Sequence, residues 1–99
     1  MGKYLKEALH GQLHGTVSTT VVTVSGGPTL LPADPLQGRK DFLLYNVGPD
    51  SVYVGGSDVT IANGIPVVAE GYLNAELGRA TLYAVVSGTN QNVRVMEIA

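Results

Sequence analysis

Apolar and polar residues alternate in short runs along most of this chain, and turn residues separate the runs about every ten positions. A run with period two predicts a β-strand, because successive side chains of a strand point to opposite faces of its sheet. Several short strands at this spacing are typical of antiparallel sandwiches and barrels. The pattern therefore predicts an all-β fold, either a small antiparallel β-sandwich or a jelly-roll-like barrel.

The longest predicted strand covers residues 16–25, with an irregularity at Val21-Val22 where the alternation changes face. The other predicted strands cover residues 29–31, 41–47, 51–54, 59–61, 65–69, 72–77, 79–87 and 92–98. Pro32 and Pro66 place the strands at 29–31 and 65–69 at sheet edges, because proline cannot donate a hydrogen bond to a neighbouring strand. Residues 32–38 are predicted to form a connecting loop.

The pattern is organised around a predicted hairpin of residues 41–54, whose turn is Gly48-Pro49-Asp50. The first strand is apolar on both faces, so it is predicted to be a central strand that leaves neither face fully to water. A second hairpin is predicted for residues 79–98. The predicted core residues of the two hairpins are Phe42, Leu44, Val52, Val54, Leu82, Val93 and Val95. The four tyrosines in strands are expected to be core rings with their hydroxyl groups at the rim.

The first residues differ in pattern from the rest of the chain. Tyr4, Leu5, Ala8 and Leu9 recur near the helical period and form an apolar stripe, which Gly11 ends. Because so short a helix is marginal alone, the stripe needs another surface to cover it. We therefore expect residues 1–15 to be an N-terminal arm that binds a partner through these four residues, and residues 16–99 to be the β-sandwich domain.

Charged residues form only 14% of the chain, against about 25% in an average soluble domain. None lies between Ala8 and Ala33. Either the outer face is polar without being ionic, or a partner covers part of the surface. Because few strand edges are protected by charge, we expect a homo-oligomer, a trimer or a dimer. The net charge of −2 and the scattered basic residues argue against binding to nucleic acid or anionic lipid.

Residues that could carry chemistry are few. His10 and His14 have the spacing of two metal ligands on a helix, but Gly11 lies between them and the chain has no third histidine or cysteine. No serine stands in a nucleophile-elbow context, and most acidic residues fall at turns. The sequence predicts no enzyme, no catalytic or metal site and no cofactor. It also lacks a signal peptide and any run long enough to span a membrane, so we expect synthesis in a cytoplasm and no membrane partner.

The middle of the chain resembles small virion proteins of tailed bacteriophages, such as capsid decoration or cement proteins and head-fibre-like proteins. The resemblance covers about residues 20–98 and is carried by Gly38–Lys40, Leu44–Asn46, Ser51–Thr60 and Asn63–Pro66. It implies a non-enzymatic structural protein on the outer capsid surface of a virion, made in the host cytoplasm. Its implied partners are the major capsid protein and copies of itself.

A second class of function remains open. A small carbohydrate-binding or adhesin-like module of a head or tail fibre is also a sandwich with few charges. The absence of tryptophan counts against it, because sugar-binding surfaces stack on large aromatic rings.

Overall fold

The computed structural model describes residues 15–99, which contain no helix and fold into two antiparallel sheets of four strands each. The strands are β1 (Val17–Val24), β2 (Thr29–Leu30), β3 (Asp41–Asn46), β4 (Val52–Gly55), β5 (Ile65–Val67), β6 (Tyr72–Ala75), β7 (Tyr83–Val85) and β8 (Gln91–Ile98). Sheet A has the order β1-β8-β3-β6, and sheet B has the order β2-β7-β4-β5. The predicted all-β sandwich is confirmed.

The core lies between the two sheets and consists of their inward-facing residues. It contains Val22, Val24, Leu31, Phe42, Leu44, Val52, Val54, Val67, Ala84, Val86, Val93 and Val95. The sequence prediction of the core is confirmed except at Leu82, which is half-buried and packs against the cluster. Burial of these aliphatic and aromatic side chains is the main favourable contribution to folding, since the chain has no disulfides.

The two predicted hairpins are wrong. β3 lies in sheet A between β8 and β6, whereas β4 lies in sheet B between β7 and β5. Likewise β7 belongs to sheet B and β8 to sheet A. The chain thus crosses from one sheet to the other at both predicted turns, and β4 and β5 are the consecutive strands that pair within the described residues. The prediction that β3 is a central strand is confirmed.

A buried hydrogen-bond network holds the crossover between β3 and β4 against the start of β8. The Asn46 side-chain amide donates to the carbonyl oxygens of Asp50 (2.8 Å) and Val67 (2.9 Å), and its oxygen accepts from the Gly48 amide (3.0 Å). Gln91 at the start of β8 donates from Nε2 to the Asn46 side-chain oxygen (2.9 Å) and to the Asp50 carbonyl (2.6 Å). These bonds hold the first crossover against the beginning of β8. The chain therefore turns between sheets here instead of folding back on itself.

Two further details differ from the sequence prediction. β1 has no irregularity at Val21-Val22, because each of its residues faces one residue of β8. The alternation changes there because Val21 is apolar although it points outward, while Val22 points into the core. Residues 59–61 form no strand and belong to loop 56–64, where the Gly64 amide donates to the Thr60 carbonyl at 2.8 Å.

Candidate interaction surface

The outward side of sheet A, named here the outer face, carries side chains from all four of its strands. They are Val17, Thr19, Val21 and Thr23 of β1, Asn92, Arg94, Met96 and Ile98 of β8, Asp41, Leu43 and Tyr45 of β3, and Tyr72 and Asn74 of β6. Each strand contributes alternate residues, because successive side chains point to opposite faces. The inward-facing residues of the same strands form the core described above.

The strand register places the apolar residues of the outer face next to one another. Its three longest rows across the sheet are Val17–Ile98–Asp41, Thr19–Met96–Leu43–Asn74 and Val21–Arg94–Tyr45–Tyr72. Side chains directly opposite on neighbouring strands have Cβ atoms about 4.5–5.5 Å apart and touch one another. The apolar side chains therefore form a contiguous patch that extends over all four strands.

Much of this patch is open to solvent within the described chain. Tyr72 is 70% exposed, Val17 62% and Val21 60%. The charged residues of the face are Asp41 and Arg94. Arg94 lies between Val21 and Tyr45, and the rest of the exposed apolar surface is continuous through Val17, Ile98, Met96 and Leu43. An exposed apolar patch of this kind is typical of a site that binds another macromolecule.

An open groove of about 440 Å³ lies on the same face. Its lining includes apolar Leu43, Met96 and Ile98 and polar Asp41, Asn74 and Glu76. An apolar lining bordered by carboxylates suits a partner that presents apolar side chains flanked by basic ones. Because of this groove, the outer face is concave where a plain sheet surface would be flat.

Part of the outward side of sheet B is covered by the chain itself. Loop 56–64 folds over it and buries Val59, which is 3% exposed, together with the outward-facing Val85 of β7. Gly64 permits this close approach, because a Cβ atom there would lie 2.7 Å from the Tyr53 Cβ and 2.9 Å from the Val59 Cγ2. The sandwich is thus asymmetric. Loop 56–64 covers part of the outward side of sheet B, at Val85, whereas no outward-facing residue of sheet A is fully buried within residues 15–99.

A buried ion pair lies at one end of the sandwich. Glu97 points inward from β8, and its Oε2 accepts from the Arg39 Nη1 at 2.7 Å. The side chains of both residues are almost fully excluded from solvent. Arg39 also donates from Nε to the Gly78 carbonyl at 3.3 Å and from Nη2 to the Ala80 carbonyl, and its guanidinium lies 5.5 Å from the centroid of the Phe42 ring.

The Glu97 carboxylate also accepts from the Leu36 amide, at 3.3 Å to Oε1 and 3.2 Å to Oε2. Both members of the pair are therefore satisfied by protein groups and closed to solvent. Glu97 accepts a hydrogen bond from Leu36 in the loop before β3, and Arg39 donates to the carbonyl groups of Gly78 and Ala80. The ion pair therefore holds these two loops in position. The sequence analysis did not predict this pair, although Glu97 shares the inward parity of Val93 and Val95.

The residues that sequence analysis selected for partner or metal binding lie outside the described residues. They are Tyr4, Leu5, Ala8 and Leu9 for the partner, and His10 and His14 for the rejected metal site. Within residues 15–99, no group of three or more His, Cys, Asp or Glu side chains is placed to hold a metal ion. The same part of the chain has no helix long and apolar enough to cross a membrane.

The expectation that the strand tyrosines are core rings is wrong for Tyr45 and Tyr72. They face each other across β3 and β6 on the outer face, and both are exposed. Tyr53 and Tyr83 lie on the outward side of sheet B and are half-buried. The sequence did carry the signal for an apolar outer face, since β3 is apolar on both parities. Within residues 15–99 only the inward-facing residues Phe42 and Leu44 are fully buried, whereas Leu43 is half-buried and Tyr45 exposed.

No protein-family model matches the sequence, and comparison with curated proteins gives no match. Two solved structures are similar in fold. A protein from Neisseria meningitidis is 13% identical, with a TM-score of 0.55, over 84% of this chain and 74% of that chain. A Bacillus endospore appendage protein, from a family of disulfide-linked pili, is 15% identical, with a TM-score of 0.54, over 85% of this chain and 83% of that chain. At these identities the likeness concerns the fold alone.

Proposed function

We propose that this protein is a non-enzymatic structural virion protein that decorates or cements the capsid surface of a tailed bacteriophage. It binds capsid subunits and copies of itself, and it occupies the outside of the particle. The assignment to a virion rests on the resemblance carried by Gly38–Lys40, Leu44–Asn46, Ser51–Thr60 and Asn63–Pro66. The assignment of a binding role rests on the outer face.

One observation carries the binding role. Loop 56–64 covers part of the outward side of sheet B and buries Val85, whereas the apolar outer face of sheet A has no such cover from residues 15–99. Covering that face with a partner removes apolar surface from water and contributes roughly 25 cal/mol for each Å² buried. Burial of the outer face against a partner protein therefore stabilises the complex.

The similarity to the Bacillus spore appendage protein is compatible with a structural role, since that protein belongs to pili. The linkage between subunits must differ, because this chain contains no cysteine and cannot form disulfides. Assembly of this protein therefore depends on non-covalent contacts. The outer face and the predicted arm residues Tyr4, Leu5, Ala8 and Leu9 are the two surfaces proposed for those contacts.

Co-sedimentation with undecorated capsids tests the function. The full-length protein is expected to sediment with particles to a saturating, stoichiometric level. A Leu43→Lys/Tyr72→Lys variant introduces charges into the outer face and is expected to lose most of this binding. The matched control is Ile61→Lys/Ile65→Lys, which introduces the same charges at exposed apolar positions outside sheet A and is expected to bind normally.

The arm is tested in the same assay by replacing Tyr4, Leu5, Ala8 and Leu9 with serine. Loss of binding in this variant alone assigns attachment to the arm, and loss in the outer-face variant alone assigns it to the sandwich. Thermal unfolding of each variant separates loss of a contact from loss of the fold. Full-length protein that leaves capsids unbound at all concentrations refutes the proposed function.

The second candidate is a carbohydrate-binding or adhesin-like module, and the adjacent Tyr45 and Tyr72 favour it. They are directly opposite each other on β3 and β6 of the outer face, with Asn74 and Arg94 on the same face. Aromatic rings bordered by hydrogen-bonding groups suit the apolar and hydroxyl surfaces of a sugar. Binding to a glycan array that is lost in Tyr72→Ala would favour this candidate over capsid decoration.

A further inference from the structure

The free edge of β1 is the longest strand edge in the described chain. β1 lies at the end of sheet A and pairs with β8 along all of its residues, from Val17–Ile98 to Val24–Gln91. An edge strand leaves a row of backbone amide and carbonyl groups that can pair with another strand. Proteins blunt such edges with charges, prolines, bulges or short length, and β1 has none of these features.

The other three edges of the sandwich are protected. β2 has two residues and is followed by Pro32, β5 contains Pro66 in its three residues, and β6 has four residues. These lengths and prolines limit strand addition. Among residues 15–99, β1 is therefore the edge best suited to accept another strand.

The pairing pattern identifies which groups of β1 point outward. Thr16 and Ala99 exchange both backbone hydrogen bonds, at 3.0 and 2.8 Å, so they form a hydrogen-bonded pair. Such pairs alternate with non-hydrogen-bonded pairs along an antiparallel ladder. The amide and carbonyl groups of Val17, Thr19, Val21 and Thr23 consequently point away from β8.

We propose that β1 pairs with β1 of a second copy of this chain, antiparallel and about a twofold axis at Thr20. In this register Val17 lies opposite the partner copy's Thr23, and Thr19 lies opposite the partner copy's Val21. All four outward-pointing residues of each copy then exchange both backbone hydrogen bonds. The two A sheets join into one continuous sheet, and both outer faces point to the same side.

The side chains of β1 favour a second copy as the occupant. A twofold axis places β1 against an identical strand, so charges of one sign along β1 would repel one another across the junction. β1 carries no charge, and its threonines and valines suit cross-strand pairs. The outer face also continues without interruption across the junction, because Val17 and Val21 lie at its margin. Of the two oligomers expected from the sequence, a trimer or a dimer, pairing about a twofold axis gives the dimer.

This inference deepens the proposed function, and rests on it for its biological role, by naming the edge through which copies bind one another. It is tested with the full-length protein by sedimentation velocity over a wide concentration range. The variant Thr19→Lys/Val21→Lys places lysine opposite lysine twice in the proposed register. We expect the dissociation constant of its dimer to rise at least roughly tenfold, so that it dissociates at correspondingly higher protein concentrations, since like charges directly opposite destabilise a pair.

The matched variant Thr19→Lys/Val21→Glu carries charges at the same positions but places lysine opposite glutamate. It is expected to dimerise at least as tightly as the unmodified protein. In the neighbouring register, centred on Val21, the same variant would place glutamate opposite glutamate and weaken the dimer. The pair of variants therefore tests the register as well as the edge. A dimer that both variants leave unchanged overturns the inference, because the interface then lies elsewhere.

Hydrogen exchange provides a second measurement that needs no variant. The amides of Thr19 and Val21 have no acceptor within β8, so they are expected to exchange fast in dilute protein and slowly at concentrations that favour the dimer. Protection that does not depend on concentration indicates that the edge is filled by the same chain and overturns the inference, as does a monomer at every concentration. A dimer that fails to bind capsids refutes the proposed function alone, and a capsid-bound monomer refutes this inference alone.

Discussion

Replacement of Arg39 by methionine should strongly destabilise the fold. Methionine keeps much of the apolar stem but removes the guanidinium, so the Glu97 carboxylate, 1% exposed, loses its charged partner and keeps the Leu36 amide. The carbonyl groups of Gly78 and Ala80 lose their donor as well. Breaking a buried ion pair from one side costs about 3–5 kcal/mol in the free energy of unfolding. A typical domain has roughly 5–15 kcal/mol in total.

For a domain of this size, each kcal/mol shifts the melting temperature by about 4–8 °C, so the variant should melt at least roughly 12 °C lower. Urea unfolding followed by circular dichroism gives the free energy directly. The matched control is Arg94→Met on the solvent side of β8, the strand that carries Glu97, and it is expected to change stability by about 0.5 kcal/mol or less.

The double variant Arg39→Met/Glu97→Met removes both charges from the buried site. It should recover most of the lost stability, because replacing a buried ion pair by apolar residues of similar size is often neutral. Recovery in the double variant is the signature of coupling between the two residues. The reasoning is refuted if Arg39→Met loses less than about 1 kcal/mol, or if the double variant loses the sum of the two single changes.

Three further outcomes are expected. Phe42→Ala leaves a cavity in the core and should lower the free energy of unfolding by about 3–5 kcal/mol, and an unchanged melting curve would contradict the burial of that ring. Gly48→Ala places a Cβ atom 2.5 Å from the Gln91 Cδ, so the network at the crossover must open at a cost of about 1–3 kcal/mol, measured by urea unfolding. A metal chelator should leave the melting temperature unchanged, whereas a drop of several degrees would indicate that His10 and His14 bind a metal ion.

The alternation of apolar and polar residues predicted the positions of the strands better than it predicted which strands pair with each other. β3, β5, β6 and β8 fall within a residue or two of the predicted segments, because alternation reports which residues face the core. The prediction of two hairpins was wrong. A short connection with turn residues can reverse the chain within one sheet, and it can equally lead the chain to the facing sheet. The choice depends on Asn46 and Gln91, whose side chains meet only in the folded protein.

The candidate surface was predictable in part. Apolar residues on both parities of β3 indicated that its second face needed cover, and the structure places Leu43 and Tyr45 on the outer face. The extent of that face follows from which strands are neighbours, and this pairing is not encoded in any one segment. The partner of Glu97 was unpredictable for the same reason, since Arg39 reaches it from a loop that is distant in sequence.

The position of β8 in sheet A also constrains how the chain can fold. β8 lies between β1 and β3, yet it is the last strand in chain order. Pairing residue 17 with residue 98 closes most of the chain into a loop, and folds dominated by such distant pairings form in on the order of milliseconds to seconds. During synthesis β1 leaves the ribosome before β8, so it cannot form its native pairing until β8 has been made. An uncharged strand in that state is exposed to pairing with other nascent chains, so the rate at which β8 arrives governs how much protein reaches the native sandwich.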